Sequence, residues 1–161
     1  MNRKSGRWPM ALLAAIILLA GPATASDRGI TVAGPGTLPT DTWGTYHALI
    51  IGINEYQQWP QLRTAVKDAT VLSQVLVERY GFDKDRVILR TDAAATRRQI
   101  TADIRALATS MKPDDNLLVY FAGHGQLDDL TGDGYWIPVE GEAGNPSSWI
   151  ANSYLKAVFS S

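Results

Sequence analysis

His124 stands between Gly123 and Gly125, directly after the apolar run Leu117-Leu118-Val119-Tyr120-Phe121. An imidazole can take or give a proton near neutral pH, and flanking glycines let a substrate backbone come close. A histidine in a tight turn could equally be structural. The chain has no cysteine, so these residues offer neither a thiolate nucleophile nor a disulfide. Asp128, Asp129 and Asp133 cluster in a second acidic stretch. Clustered carboxylates suit a hard cation such as calcium, but this spacing lacks the glutamate that closes an EF-hand loop. A solvated turn is the favoured reading there, and no cofactor is expected. His47 reads as a strand-edge residue, and Trp59, Trp136 and Trp149 as packing.

The elements that must position His124 follow from periodicity. Ala48–Ile53, Arg86–Leu89 and Leu117–Phe121 are short, continuous apolar runs, as strands buried on both faces require. Between the first two, Leu62, Ala65, Val66, Ala69, Leu72, Val75 and Leu76 recur at helical spacing until Gly81. A second helix carries Ile100, Ile104, Leu107 and Met111 on one face. Thr96 and Gln99 form a capping box at its start, and Pro113 marks its end. Strand, helix, strand, helix, strand predicts a doubly wound, mostly parallel α/β sheet. With strand order 2-1-3, a crevice opens at the C-terminal ends of the first and third strands, where His124 falls. Tyr135–Val139 reads as a short edge strand because Pro138 lacks an N–H. Tyr154, Leu155, Val158 and Phe159 share one face of a last helix, and the chain stops inside that pattern.

Export is expected from the N-terminus. Arg3, Lys4 and Arg7 precede the apolar run Met10–Ala20, and Ala23-Thr24-Ala25 places small residues at a cleavage site. These are the parts of a signal peptide over residues 1–25; the alternative is an uncleaved membrane anchor, against which the run is too short for a stable membrane span. Residues 26–45, rich in Gly, Pro and Thr, read as a linker or irregular arm, and residues 46–161 as the folded domain. With a formal net charge of -1 and no basic run outside the N-terminus, a nucleic-acid partner is not expected.

The wider pattern carries a resemblance. Tyr46–Tyr56 resembles the opening strand of the caspase and metacaspase superfamily of cysteine peptidases. Leu62–Ala69 resembles its helix start with an Asp-Ala pair, and Leu118–Gly125 its strand ending in the catalytic histidine. Gly134-Tyr135-Trp136-Ile137-Pro138 is similar to a common bacterial continuation. The resemblance implies a caspase-haemoglobinase fold and a cysteine endopeptidase acting on a peptide or protein substrate. In it His124 shuttles protons, and the backbone N–H of Gly125 is an oxyanion donor. The same resemblance implies that Asp68 lines the primary pocket and pairs with Arg or Lys of the substrate; the alternative is a solvated helix residue. Arg63, nearby, is the residue that would argue against this preference. Some members need calcium. The nucleophile should follow about 50 residues after the histidine, beyond Ser161. The domain is therefore expected to be incomplete at its C-terminus, inactive as it stands, and to carry a bare edge on its third strand. The alternative is a non-catalytic binding or assembly module. An unrelated hydrolase or phosphate-binding protein ranks last, because no Gly-rich phosphate loop and no G-x-S-x-G elbow occurs.

Overall fold

The computed structural model describes residues 44–159 and, in backbone only, residues 12–19. In chain order the elements are β1 (Leu12–Leu19), β2 (Tyr46–Gly52), α1 (Ala65–Tyr80), β3 (Val87–Thr91) and α2 (Arg97–Ser110). β4 (Asn116–Leu127), β5 (Gly134–Trp136), β6 (Ile150–Ala151) and α3 (Asn152–Phe159) follow. The expected cleavage after Ala25 and the arm over residues 26–43 lie outside the described residues.

The chain folds as an α/β sheet with helices on both faces. β2 lies between β3 and β4 and is parallel to both, which is the 2-1-3 order of the three apolar runs. Alternation along β2 sorts its side chains. Ala48 and Ile50 pack under α1 with Ala69 and Leu76. Leu49 and Ile51 meet Ile100, Ile104 and Leu107 of α2 and Leu155 of α3 on the other face. Burying each Leu or Ile among these stabilises by about 1.5–3 kcal/mol. Gly52 lets α1 sit close, since a Cβ there would lie 2.5 Å from the Ala65 carbonyl oxygen.

Local signals end the helices as expected, with one difference. Gly81 closes α1 at φ 73°, in the left-handed region. Thr96 accepts from the Gln99 N–H at 3.2 Å. The reciprocal half of the capping box is missing, because the Gln99 side chain donates to Asp103 Oδ1 at 3.0 Å instead. Asp103 also takes both nitrogens of the Arg90 fork, at 2.7 and 2.9 Å, and a charged donor plus the amide outcompetes a weak cap bond.

Four strand expectations change. β4 does not stop at Phe121 but runs on through His124 to Leu127, because its second half pairs antiparallel with β5. β5 is not an edge: β6 pairs its other side, and the strand ends at Trp136, before Pro138. In the 161-residue chain the outer edge of β4 is covered, since β1 pairs antiparallel along it from Leu12 opposite His124 to Leu19 opposite Leu117; β1 lies within residues 1–25, so removal of the expected leader would bare that edge. His47 is buried on the central strand, 3.4 Å from Asp115 Oδ2 and 3.4 Å from an Arg86 nitrogen, so it is not a strand-edge residue.

Candidate active site

The site is built where β2 and β4 end together. Their ladder runs to Gly52 opposite Ala122, and the Ile53 N–H then donates to the Ala122 carbonyl at 3.0 Å. From there residues 54–62 leave β2 and fold back over β4. Leu62 N–H donates to Asn54 O at 3.0 Å, closing that loop, and Gln57 N–H donates to Val139 O at 3.0 Å, tying it to the segment after β5. The loop presents Tyr56, Trp59 and Pro60 to His124.

His124 is only 5% exposed, so its polar atoms need partners inside the protein. Its backbone N–H donates to the Tyr56 hydroxyl at 2.8 Å, and that hydroxyl donates to the Ile137 carbonyl at 3.2 Å. The imidazole Nε2 lies 2.7 Å from the Pro60 carbonyl oxygen. A carbonyl only accepts, so Nε2 carries the hydrogen, and the neutral ring keeps its lone pair on Nδ1. Among the described residues Nδ1 makes no hydrogen bond. The ring lies between two aromatics, with centroids 4.7 Å from Tyr56 and 5.6 Å from Trp59. Burial pushes the Tyr56 phenol far above its usual value, against the opposing pull of the His124 hydrogen bond. It therefore stays a neutral hydroxyl, able to accept and donate at once.

Gly125 follows in the same strand. The Ile137 N–H donates to the His124 carbonyl at 3.0 Å, which makes Gly125 and Trp136 a pair that exchanges no hydrogen bonds. The Gly125 N–H consequently points away from β5. An imidazole with an unbonded Nδ1 and a neighbouring N–H on the opposite edge of β4, the edge along which β1 lies, can together take a proton and hold a developing negative oxygen where a substrate reaches both.

No hydrogen bond joins Asp68 to this pair among the described residues. It sits exposed in the first turn of α1 and makes no side-chain hydrogen bond or ion pair among the described residues. Its charge acts on Tyr120 of β4, whose phenol is raised first by burial and then by that carboxylate. Arg63 is also exposed. Among the described residues no three potential ligands converge on a cation position. Asp128 accepts from the N–H groups of Leu130 and Thr131, at 2.9 and 3.3 Å, and these bonds hold its carboxyl below the usual range. Asp133 accepts from the Ser153 N–H at 3.2 Å, at the start of α3. Asp129 is exposed beside them. Trp136 stacks on Phe121 at 4.8 Å, and Trp149 packs edge-on to Trp59 at 6.1 Å. A groove of about 650 Å³ between β5 and α3 is lined by Val119, Trp136, Leu155 and Phe159, and does not include His124.

Tyr56 and Pro60 went unread in the sequence. Pro60 contributes a backbone carbonyl, which no side-chain pattern reveals. The Tyr56 contact spans 68 residues of chain, beyond any local periodicity.

Over 97 residues the chain is 34% identical to Metacaspase-1 of Schizosaccharomyces pombe, covering 56% of this chain and 23% of that protein. It is 36% identical to Metacaspase-1A of Aspergillus oryzae over 97 residues, again 56% of this chain and 23% of the other. A solved protein from Geobacter sulfurreducens shares the fold with a TM-score of 0.56 at 24% identity, over 71% of this chain and 44% of that one. The chain thus spans under half the length of each of these proteins. The family described as Caspase domain matches residues 45–159, and with that span the chain belongs to the caspase domain family.

Proposed function

We propose that His124 is the general base of a cysteine endopeptidase whose nucleophile lies outside these 161 residues. The observation that carries this is the 2.7 Å bond from His124 Nε2 to the Pro60 carbonyl, which leaves Nδ1 as the proton acceptor. In the reaction a cysteine thiol gives its proton to Nδ1, and the sulfur attacks the scissile carbonyl carbon. The carbonyl electrons move to oxygen, where the Gly125 N–H donates. As the C–N bond breaks, the Nδ1 proton passes to the leaving amine. Water then releases the acyl group from sulfur.

Asp68 is assigned to the primary pocket and to a preference for Arg or Lys before the scissile bond. Its exposed carboxylate, without an ion-pair partner among the described residues, supports that role. The N-terminal pattern supports export through a signal peptide, with a mature start at Ser26; such cleavage would take β1 away with the leader and free the edge of β4 beside His124. N-terminal sequencing of exported protein checks this, and an intact Met1 would refute it.

The test is hydrolysis of Arg-, Lys- and Asp-terminated reporter peptides by any longer product of the same gene. Cleavage after Arg or Lys that is lost in His124→Ala supports the assignment. Cleavage that survives His124→Ala refutes it. The cysteine-free sequence favours a second reading, a non-catalytic caspase-like module. Binding of those peptides without hydrolysis by any product of the gene would establish the module instead.

A further inference from the structure

Asp92 is the one non-glycine residue with positive φ among the described residues, at 43°. Backbone in that region is strained for a residue with a Cβ, though aspartate tolerates it better than most. Such strain persists only where the surroundings hold it in place. Here the hold is visible. Asp92 follows β3, and its Oδ1 accepts two backbone N–H groups, from Asn54 at 2.7 Å and from Glu55 at 2.9 Å. These are the first residues of the loop that carries Tyr56 and Pro60. Its own carbonyl accepts from the Ala95 N–H at 2.8 Å, and the Ala95 carbonyl accepts from Val139 N–H at 3.1 Å. Val139 in turn accepts from Gln57. Asp92 therefore grips the loop at its root and, through Ala95 and Val139, at its middle.

We propose that Asp92 is a positioning residue for His124, acting through the loop that places the Pro60 carbonyl on Nε2. The inference rests on the reading of His124 as the base, but not on activity. Two N–H groups converging on one carboxylate oxygen fix where residues 54 and 55 leave β2. That direction fixes how far Pro60 reaches toward the imidazole. If the grip is lost, Pro60 withdraws, and Nε2–H has no acceptor. The preference for the Nε2–H tautomer then falls back to the modest one of a free histidine side chain, and the ring holds its lone pair on Nδ1 less firmly. An ordinary turn residue would show neither the positive φ nor the paired donors.

The test is nitrogen NMR of His124 in the 161-residue protein, which reports the hydrogen on each ring nitrogen. His47, the second histidine, lies at the opposite end of β2 and serves as the control. Asp92→Gly removes the acceptor and also the φ strain, so loss of stability from backbone conformation is avoided. Asp92→Asn keeps an oxygen acceptor and tolerance of positive φ. The expected order of Nε2–H preference is wild type, then Asp92→Asn, then Asp92→Gly, with His47 signals unchanged. An Asp92→Gly protein that keeps the wild-type His124 signals overturns the proposal. Should Asp92→Gly not fold, Asp92→Asn carries the test. Faster amide exchange at Asn54 and Glu55 with a partial fall in the Nε2–H preference supports the role, and no change in either overturns it. A wild-type His124 without the Nε2–H form would instead count against the reading of the base itself.

Discussion

Gly123 is glycine because Tyr56 occupies the place a side chain would take. A Cβ on Gly123 would lie 2.3 Å from the Tyr56 hydroxyl and 2.8 Å from the Phe121 ring. The hydroxyl cannot retreat without dropping two bonds, one from His124 N–H and one to Ile137 O. The glycine before the histidine therefore serves the packing of a distant tyrosine at least as much as access for a substrate.

That relationship predicts coupling. Tyr56→Phe leaves a buried N–H and a buried C=O unpartnered, at a loss of about 1–3 kcal/mol. Gly123→Ala should destabilise by about 1–3 kcal/mol through overpacking. Combined, they should lose less than the sum, because removing the hydroxyl makes room for the methyl. Chemical denaturation of the two single variants and the double variant checks this. Strict additivity would mean the two residues do not meet.

Gly52→Ala should also destabilise, again by about 1–3 kcal/mol. The obstacle is the backbone of α1, with the Ala65 oxygen 2.5 Å and the Ala69 Cβ 2.6 Å from the new carbon. A helix cannot swing aside as a flexible side chain can. Equal denaturation midpoints for the variant and wild type would contradict the packing of α1 on β2.

Acid should loosen the start of the sheet. Asp115 Oδ2 accepts from Lys112 N–H at 2.9 Å, and Oδ1 from Thr45 N–H at 2.9 Å. These bonds, with the His47 charge a lesser contribution, lower its carboxyl to about 2. A carboxyl lowered on folding stabilises above its unfolded value, near 3.9, and that contribution fades as pH falls toward 2. The expected loss is on the order of 1 kcal/mol. Asp115→Asn should flatten the pH dependence of unfolding between pH 4 and pH 2; an unchanged slope would remove Asp115 as its source.

The 161-residue chain should hydrolyse no peptide, since a base without a nucleophile cannot make the acyl intermediate. In any longer, active product, His124→Ala should lower kcat by about 100-fold or more. Asp68→Ala should lower kcat/KM on Arg peptides by about tenfold or more, in keeping with about 2–5 kcal/mol for a lost charge partner. Unaltered Arg preference in Asp68→Ala would move the specificity pocket elsewhere.

Much of the scaffold was legible in the sequence, because its signals are local. Continuous apolar runs, three-to-four spacing, Gly81 and Thr96 depend only on neighbours a few residues away, and they located the parallel core and both of its first helices. The run ending in Gly-His-Gly likewise marked His124. The tertiary structure decided everything that joins distant segments. That β4 continues through His124, that β5 lies inside a hairpin, and that β1 lies along the outer edge all depend on strand partners, which no single strand encodes. The same holds for the imidazole. Its residue type could be read, but which nitrogen holds the hydrogen depends on a Pro60 carbonyl 64 residues away. That carbonyl is backbone, identical in every residue, and only the folded path of residues 54–60, gripped by Asp92, brings it within reach of Nε2.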